Sequence, residues 1–410
     1  MSAAAGGPMR VDVLVAGGGV AGLTAAAAFA AAGFETACVD PVPPVTSAAA
    51  EGSDLRSTAF LLPAVALLER AGLWERLAPE AAPLRTMRIV DAGGAPGQIR
   101  ESVDFSAGEV GAEVFGYNLP NWLLRREVVA RLAALPGATL TAPAAVERIT
   151  PRTGEAIVAL SGGGQVRARL VVAADGRDSL VREALGIGVR RWGYGQKAVV
   201  FTVTHTHPHD DASTEIHRSG GPFTLVPLPD GPDGHRSAVV WMEEGPKAAT
   251  LAAIAAADFD AALAERACGI LGEIRLAGPR RLWPIVAQLA DRLDGPRTAL
   301  VAETAHVVPP IGAQGLNMSL ADIAALLDLC HAARQAGRDF GGPEVLARYH
   351  RARHADLVSR VAGIDALNRA AMAGARPLRD MRRVALQALA ATPPLRRTAM
   401  RLGLGSGRGA

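Results

Sequence analysis

Gly17-x-Gly19-x-x-Gly22 stands between an apolar run, Val11 to Val15, and a small-residue stretch, Val20 to Ala32. The run reads as a buried β-strand and the stretch as a helix. A second apolar run, Thr36 to Val39, follows and ends in Asp40. Strand, glycine turn, helix, strand and terminal acid form a Rossmann-type order. In such a unit Gly17 permits the tight turn, Gly19 lets the backbone approach a pyrophosphate, and Gly22 lets helix and strand pack closely. The helix N-terminus then faces the phosphates, and Asp40 is placed to accept hydrogen bonds from ribose hydroxyls. The motif indicates an adenine dinucleotide without choosing between FAD and NAD.

Residues 13–34 carry no charge and contain Gly18-x-x-x-Gly22, a pattern that a membrane helix also shows. The Gly17-Gly18-Gly19 run would break such a helix midway, which favours strand and helix. The chain has 410 residues, enough for two or three folding units around a shared core. Only 4% of residues are aromatic, so the interior is built mostly from Ala, Val and Leu. Glycine is 45 of 410 residues, about 11% against a usual ~7%. Cys38, Cys268 and Cys330 are too far apart for a disulfide framework or a metal spacing and fit a reducing cytoplasm. The N-terminus has Arg10 as its only basic residue and is not a signal peptide.

Farther along, Ala156 to Leu160 and Val166 to Val172 alternate around Ser161-Gly162-Gly163-Gly164, a hairpin signal. The second strand runs into Ala173-Ala174-Asp175-Gly176-Arg177-Asp178-Ser179. Thr298 to Ala302 reads as a short strand leading to Glu303-Thr304-Ala305-His306. Pro309 to Asn317, with Gly312 and Gly315, then precedes a helical stretch from Met318 to Leu329. This second loop-to-helix junction offers free backbone N–H groups to an anion.

With these blocks in this order, the chain resembles the FAD-dependent aromatic hydroxylases of the para-hydroxybenzoate hydroxylase fold. Among them it is most similar to the ubiquinone-biosynthesis hydroxylases of the 2-polyprenylphenol hydroxylase type. The resemblance rests on the Gly17 to Gly22 fingerprint, Asp54-Leu55-Arg56-Ser57-Thr58-Ala59, Asp175-Gly176, and Ala305-His306 through Asn317. It implies that Gly17, Gly19 and Gly22 hold the FAD pyrophosphate and Asp40 the ribose. It places Arg56 beside the flavin and Arg125 at its phosphate or ribityl region, and gives Asp175 to a motif serving FAD and NAD(P)H. Pro310, Gly312, Gly315, Leu316 and Asn317 would line the isoalloxazine. Glu303 stands where the family usually has Asp on the ribityl chain, which shifts the expected contact by one methylene. His306 is expected to be a packed supporting residue, and no catalytic residue is assigned.

The resemblance also implies O₂ as co-substrate, NAD(P)H or a ferredoxin system as electron donor, and a polyprenylated phenol as substrate. Its three alternatives are a hydroxylase of a soluble aromatic compound, a flavin reductase or dehydrogenase of prenyl chains, and a non-catalytic flavin-binding assembly subunit. The expected architecture is α/β: a Rossmann-like FAD-binding domain in three parts (1–80, 116–190, 291–365), an inserted sheet-rich substrate domain (81–115, 191–290) and a helical tail (366–410).

Other constellations are weaker. His205, His207 and His209 alternate ahead of Asp210 and Asp211, but nothing else completes a metal site, and none is expected. Residues 191–290 show alternating strands and then turn helical from about Ala248 to Gly269. The tail holds nine Arg, no Lys and one acid, a charge of +8 against −5 for the rest. Met381 to Leu389 and Leu395 to Leu402 alternate apolar residues with arginines. That pattern suits a helix on an anionic membrane surface or one docked on the body. The protein is therefore expected in the cytoplasm, with peripheral contact on the inner membrane face and membership of a ubiquinone-biosynthesis complex as open alternatives. No nucleic-acid partner is expected.

Overall fold

The computed structural model describes residues 8–232 and 234–404. Met9–Ala16 lies inside an eight-stranded sheet, between Gln165–Ala173 and Thr36–Val39. These strands are parallel, and Thr298–Leu300 and Ala138–Thr141 extend the parallel order on either side. Val13, Leu14, Val15, Leu170, Val171 and Val172 are fully buried, as strands covered on both faces must be. The helix Val20–Ala31 is buried from Gly22 to Ala30. Its alanines let it lie close between the sheet, the helix Asn121–Ala134 and the core helix Gln314–Gln335.

A nine-stranded sheet stands beside it in the order His306–Val307, Arg281–Ala290, Val189–His205, Gly234–Glu244, Pro222–Gly231, Ala212–His217, Thr86–Asp91, Glu101–Ser106, with Ile274–Leu276 on one edge of the long strand. It is antiparallel except where Ala212–His217 pairs with Thr86–Asp91. Alternation gives it two different faces. Val199, Phe201, Val203, Phe223, Leu225, Val239 and Trp241 pack under the helices Gly245–Ala253 and Ala256–Ala267. Ala198, Val200, Val240 and Met242 point the other way and join the core of the eight-stranded sheet. The helical stretch expected from about Ala248 to Gly269 is two helices, because Ile254 turns extended (ψ 158°) between them.

A small sheet of Ser57–Leu61, Gly116–Pro120 and Ala82–Leu84 links the two halves. Asn118 Nδ2 ties it to the large sheet by donating to Pro227 O at 2.7 Å.

After the long helix Pro343–Met372, the tail forms two helices, Arg376–Ala391 and Pro393–Leu404. Both dock on the body. Leu386 and Met400 are buried with Val103, Phe105, Ala107 and Phe115, and Ile89 and Met87 pack against them. Arg382 pairs with Asp91 (3.2 Å), Arg100 with Asp380 (2.5 Å) and Arg396 with Glu109 (2.5 Å). One register row, Val200, Val240, Thr224, Glu215, Ile89, Val103, crosses the sheet on a single face. The tail therefore covers the far end of the same face that looks onto the eight-stranded domain.

Among the described residues only the core helix has the length and apolarity of a membrane span. It packs against Val20–Ala31 and Pro343–Met372, and 56% of its apolar window is buried.

Candidate active site

The fingerprint glycines have separate physical reasons. Gly17 has φ +114°, and a Cβ there would stand 2.3 Å from Ala174 O. At Gly22 a Cβ would fall 1.9 Å from Gly17 O, so helix and strand meet only because it is absent. Gly19 is different: a Cβ there meets nothing within 4 Å, and the position borders open space. Gly19 is also the N-cap of Val20–Ala31, with no side-chain cap, so the first-turn N–H groups are available to an anion. Asp40 closes the turn by accepting from Gly18 N (2.5 Å) and Val42 N (2.8 Å).

The second cradle is built at the core helix. Gly312 (φ +59°) and Ala313 (φ +56°) are left-handed, and the helix start has no side-chain cap. A Cβ at Gly315 would meet nothing within 4 Å. Asn317 fixes this junction to Ser57–Leu61: its Oδ1 accepts from Leu61 N (2.9 Å), and its Nδ2 donates to Ala59 O (2.7 Å) and Ala313 O (2.6 Å). The loop including Pro310 and the helix start through Leu316 are thereby held against the strand that follows Arg56.

Arg56 is clamped twice. It pairs with Asp54 through two bonds of 2.7 Å, and its guanidinium lies 4.2 Å from the Trp283 ring centroid. Asn121 Nδ2 donates to the same Asp54 carboxylate (3.1 Å) and Thr58 Oγ1 to Asn121 Oδ1 (2.8 Å). Burial pushes the Asp54 carboxyl up, but bonds from Arg56 and Asn121 and the Arg125 charge hold it below the usual range. Arg125 Nη2 is 3.9 Å from Asp54 and its Nε is buried with no acceptor. A buried guanidinium donor without a partner is the state that an anionic group would satisfy.

Asp175 accepts from Ser179 Oγ (2.6 Å), Val181 N (3.1 Å) and Thr304 Oγ1 (3.1 Å). Thr304 Oγ1 in turn accepts from Gly176 N, and Arg182 donates to Thr304 O (2.9 Å). The Asp175-Gly176 loop is thus bolted to the Ala302–Thr304 turn. Glu303 stands half-exposed on that turn, its carboxylate 3.2 Å from Arg177. Taken together, the two glycine turns with their uncapped helix starts, Arg56, Arg125 and the unpartnered Nε suit a phosphate-bearing, ring-bearing cofactor.

The FAD binding domain family matches residues 10–361. The chain is 38% identical to the ubiquinone hydroxylase UbiL of Rhodospirillum rubrum over 96% of this chain and 90% of the relative. The chain belongs to the family of FAD-dependent aromatic-ring hydroxylases. Another member, the 3-demethoxyubiquinol 3-hydroxylase of Escherichia coli, is 28% identical over 96% of this chain and 98% of its own. The p-nitrophenol 4-monooxygenase PnpA of Pseudomonas putida shares the fold, with a TM-score of 0.78 at 19% identity over 98% of this chain and all of that one.

As a member of the FAD-dependent hydroxylases, the chain carries supporting residues that its motifs do not announce. Asp54, Asn121 and Trp283 hold Arg56; the first stands two residues away, while the other two arrive from 65 and 227 residues away along the chain. Asp322, fully buried, lies 2.6 Å from His306 Nε2 and accepts from Arg353 Nε (2.9 Å). His306 is 2% exposed, a packed residue as its strand-end position suggests. On the sheet face turned to the cradle, Glu215 and His217 lie 2.7 Å apart, and His217 Nδ1 is buried without a partner.

His205 and His209 meet ring to ring (6.1 Å between centroids) with His235 beside them, but their nitrogens are engaged elsewhere. His205 is bonded through both nitrogens, to His207 O (2.8 Å) and Ser237 Oγ (3.0 Å), and His209 contacts Leu228 O and Asp211 N. Among the described residues no group of three His, Cys, Asp or Glu forms a ligand set.

Proposed function

We propose that this flavin hydroxylase acts on the aromatic ring of a polyprenylated phenol in ubiquinone biosynthesis. The observation that carries the reading is the 38% identity to a ubiquinone hydroxylase across 96% of the chain, spanning cradle and sheet alike. Bound FAD, reduced by NAD(P)H or a ferredoxin system, supplies the activation of O₂ and the oxygen transfer.

The chain's own residues bind, orient and shield. Gly17, Gly19, Gly22 and the uncapped start of Val20–Ala31 hold the pyrophosphate, with Asp40 fixing the turn beside the ribose. Arg56 would sit beside the flavin and Arg125 at its phosphate or ribityl region, near Glu303 and the Asp175 loop. Pro310, Gly312, Gly315, Leu316 and Asn317 would line the ring, and the core-helix N-terminus would stabilise negative charge there. Val200 and Val240, only partly buried, offer apolar surface to a greasy ring, backed by the buried Ala198 and Met242. Glu215 and His217 supply polar groups on that wall, and the free His217 Nδ1 is suited to the phenol hydroxyl.

The docked tail narrows the membrane reading. Its body-facing arginines are spent on Asp91 and Glu109, whereas Leu378, Met381, Val384, Leu395 and Leu402 are exposed. The three on the first tail helix fall at i, i+3 and i+6 on one face. This outward stripe, flanked by arginines, is the part that would meet an anionic lipid surface. Deleting the gene and identifying the accumulated quinone precursor by mass spectrometry tests the reading. A prenylated phenol lacking a ring hydroxyl is expected; a wild-type quinone profile would overturn it.

A further inference from the structure

The last tail helix, Pro393–Leu404, ends against the start of the core helix. Gln314, the first residue of Gln314–Gln335, engages its whole side-chain amide there. Its Nε2 donates to Gly312 O (3.0 Å) and to Gly403 O (3.0 Å), and its Oε1 accepts from Arg360 Nη1 (3.2 Å). One side chain thereby joins the glycine loop of the second cradle, the end of the tail and the long helix Pro343–Met372.

That loop needs holding. Gly312 and Ala313 are both left-handed, a strained conformation for a residue with a side chain such as Ala313, and no side chain caps the helix start. Two bonds fix its carbonyls: Asn317 Nδ2 donates to Ala313 O (2.6 Å), and Gln314 Nε2 to Gly312 O.

The tail helix itself is anchored outside the loop. Met400 is buried in one cluster with Phe105 and Phe115. Arg396 bonds Glu109 at 2.5 Å, with its guanidinium 4.6 Å from the Phe105 ring centroid. Leu402, two residues past Met400, is exposed. Docking of this helix is therefore set by residues that touch the sheet, while its end reaches the cradle through Gln314 alone among the bonds described here.

We infer that Gln314 is a positioning residue that couples FAD binding at the cradle to docking of the tail. A docked tail holds the loop in the shape that meets FAD, and bound FAD holds the loop in the shape that the tail clasps. Such coupling is reciprocal, so each event strengthens the other by the same factor. One hydrogen bond sets that factor at about threefold to tenfold. The coupling rests on FAD lying at the core-helix start and is independent of which phenol is hydroxylated.

FAD titration of the apoprotein, with amide hydrogen exchange of residues 393–404 followed in the FAD-free and FAD-loaded full chain, tests it. FAD should slow exchange in the last tail helix by about threefold to tenfold. Gln314→Ala should weaken FAD by about the same factor and abolish the effect of FAD on tail exchange. Met400→Asp undocks the tail without touching the cradle and should also weaken FAD about threefold to tenfold, as should deletion of residues 393–410. Leu402→Asp, which adds the same charge on the exposed side, should leave FAD affinity unchanged. Combining Gln314→Ala with Met400→Asp should weaken FAD no further than either change alone, a non-additivity that a general loss of stability does not produce. Tail exchange indifferent to FAD, full FAD affinity in Met400→Asp and in the deletion, or additive losses in the double variant would each overturn the coupling and leave the FAD assignment standing.

Discussion

His306 Nε2 and Asp322 Oδ2 lie 2.6 Å apart on residues that are 2% and 0% exposed. The same carboxylate accepts from Arg353 Nε and lies 3.4 Å from the amide of Ala302, a left-handed non-glycine residue (φ +57°). One buried acid thus fixes the strand end, the turn that presents Glu303 and Thr304, and the long helix behind them. Burial pushes the Asp322 carboxyl up, yet His306 and Arg353 together hold it below the ordinary 3.8. A depressed acid contributes its full stability above the unfolded pKa and loses it as pH falls through the lower folded value. Asp322→Asn should cost about 3–5 kcal/mol at neutral pH, as for a broken buried pair, and the gap to wild type should narrow in acid. Denaturant titrations across pH check this; a gap independent of pH would contradict it.

Gly19 and Gly22 separate folding from cofactor binding. Gly19→Ala places its methyl in open space, so the chain should fold with an unchanged melting temperature but bind FAD at least tenfold more weakly, about 1.4 kcal/mol. Gly22→Ala drives a methyl to 1.9 Å from Gly17 O and should destabilise the fold itself by several kcal/mol. Melting curves and FAD titration of the apoprotein distinguish the two.

His217, paired with Glu215 on the sheet face turned to the cradle, should matter to substrate and not to cofactor. His217→Gln is expected to lower kcat/KM about tenfold or more, with FAD content and its reduction unchanged. Steady-state kinetics with a short-chain prenylphenol measure this, and an unaltered kcat/KM would remove His217 from the substrate wall.

The tail's outward stripe is separable from its docking side. Met381→Asp with Val384→Asp should reduce co-sedimentation with anionic vesicles roughly a hundredfold or more, since each loses an apolar side chain worth about 1.5–3 kcal/mol on burial. Arg382→Ala, which breaks the bond to Asp91, should instead lower the melting temperature. Equal vesicle binding by the double variant would place any membrane contact elsewhere.

The parts legible in the sequence are those coded by neighbours along the chain: the Gly17 to Gly22 turn, the Asp175-Gly176 loop, and the Pro309 to Asn317 junction. Local signals set the helical stretches but not their breaks and starts. The periodicity from Ala248 to Gly269 runs through Ile254, where the backbone turns extended and splits the helix. The tail helices start earlier than Met381 and Leu395, because Pro377 and Pro393 sit in first turns, where a missing N–H costs nothing. What the chain does not announce is the set of distant partners. Asn121 on Asp54, Trp283 on Arg56 and Arg353 on Asp322 meet only after the sheets have formed, and no spacing encodes them.

On the proposed function, this chain inserts one atom of O₂ into the ring of a prenylated phenol. The purified FAD-loaded protein, supplied with reductant, a polyprenylphenol and ¹⁸O₂, should yield a ring-hydroxylated product carrying one heavy oxygen atom. Oxidation of the reductant without ¹⁸O in the product would contradict the account.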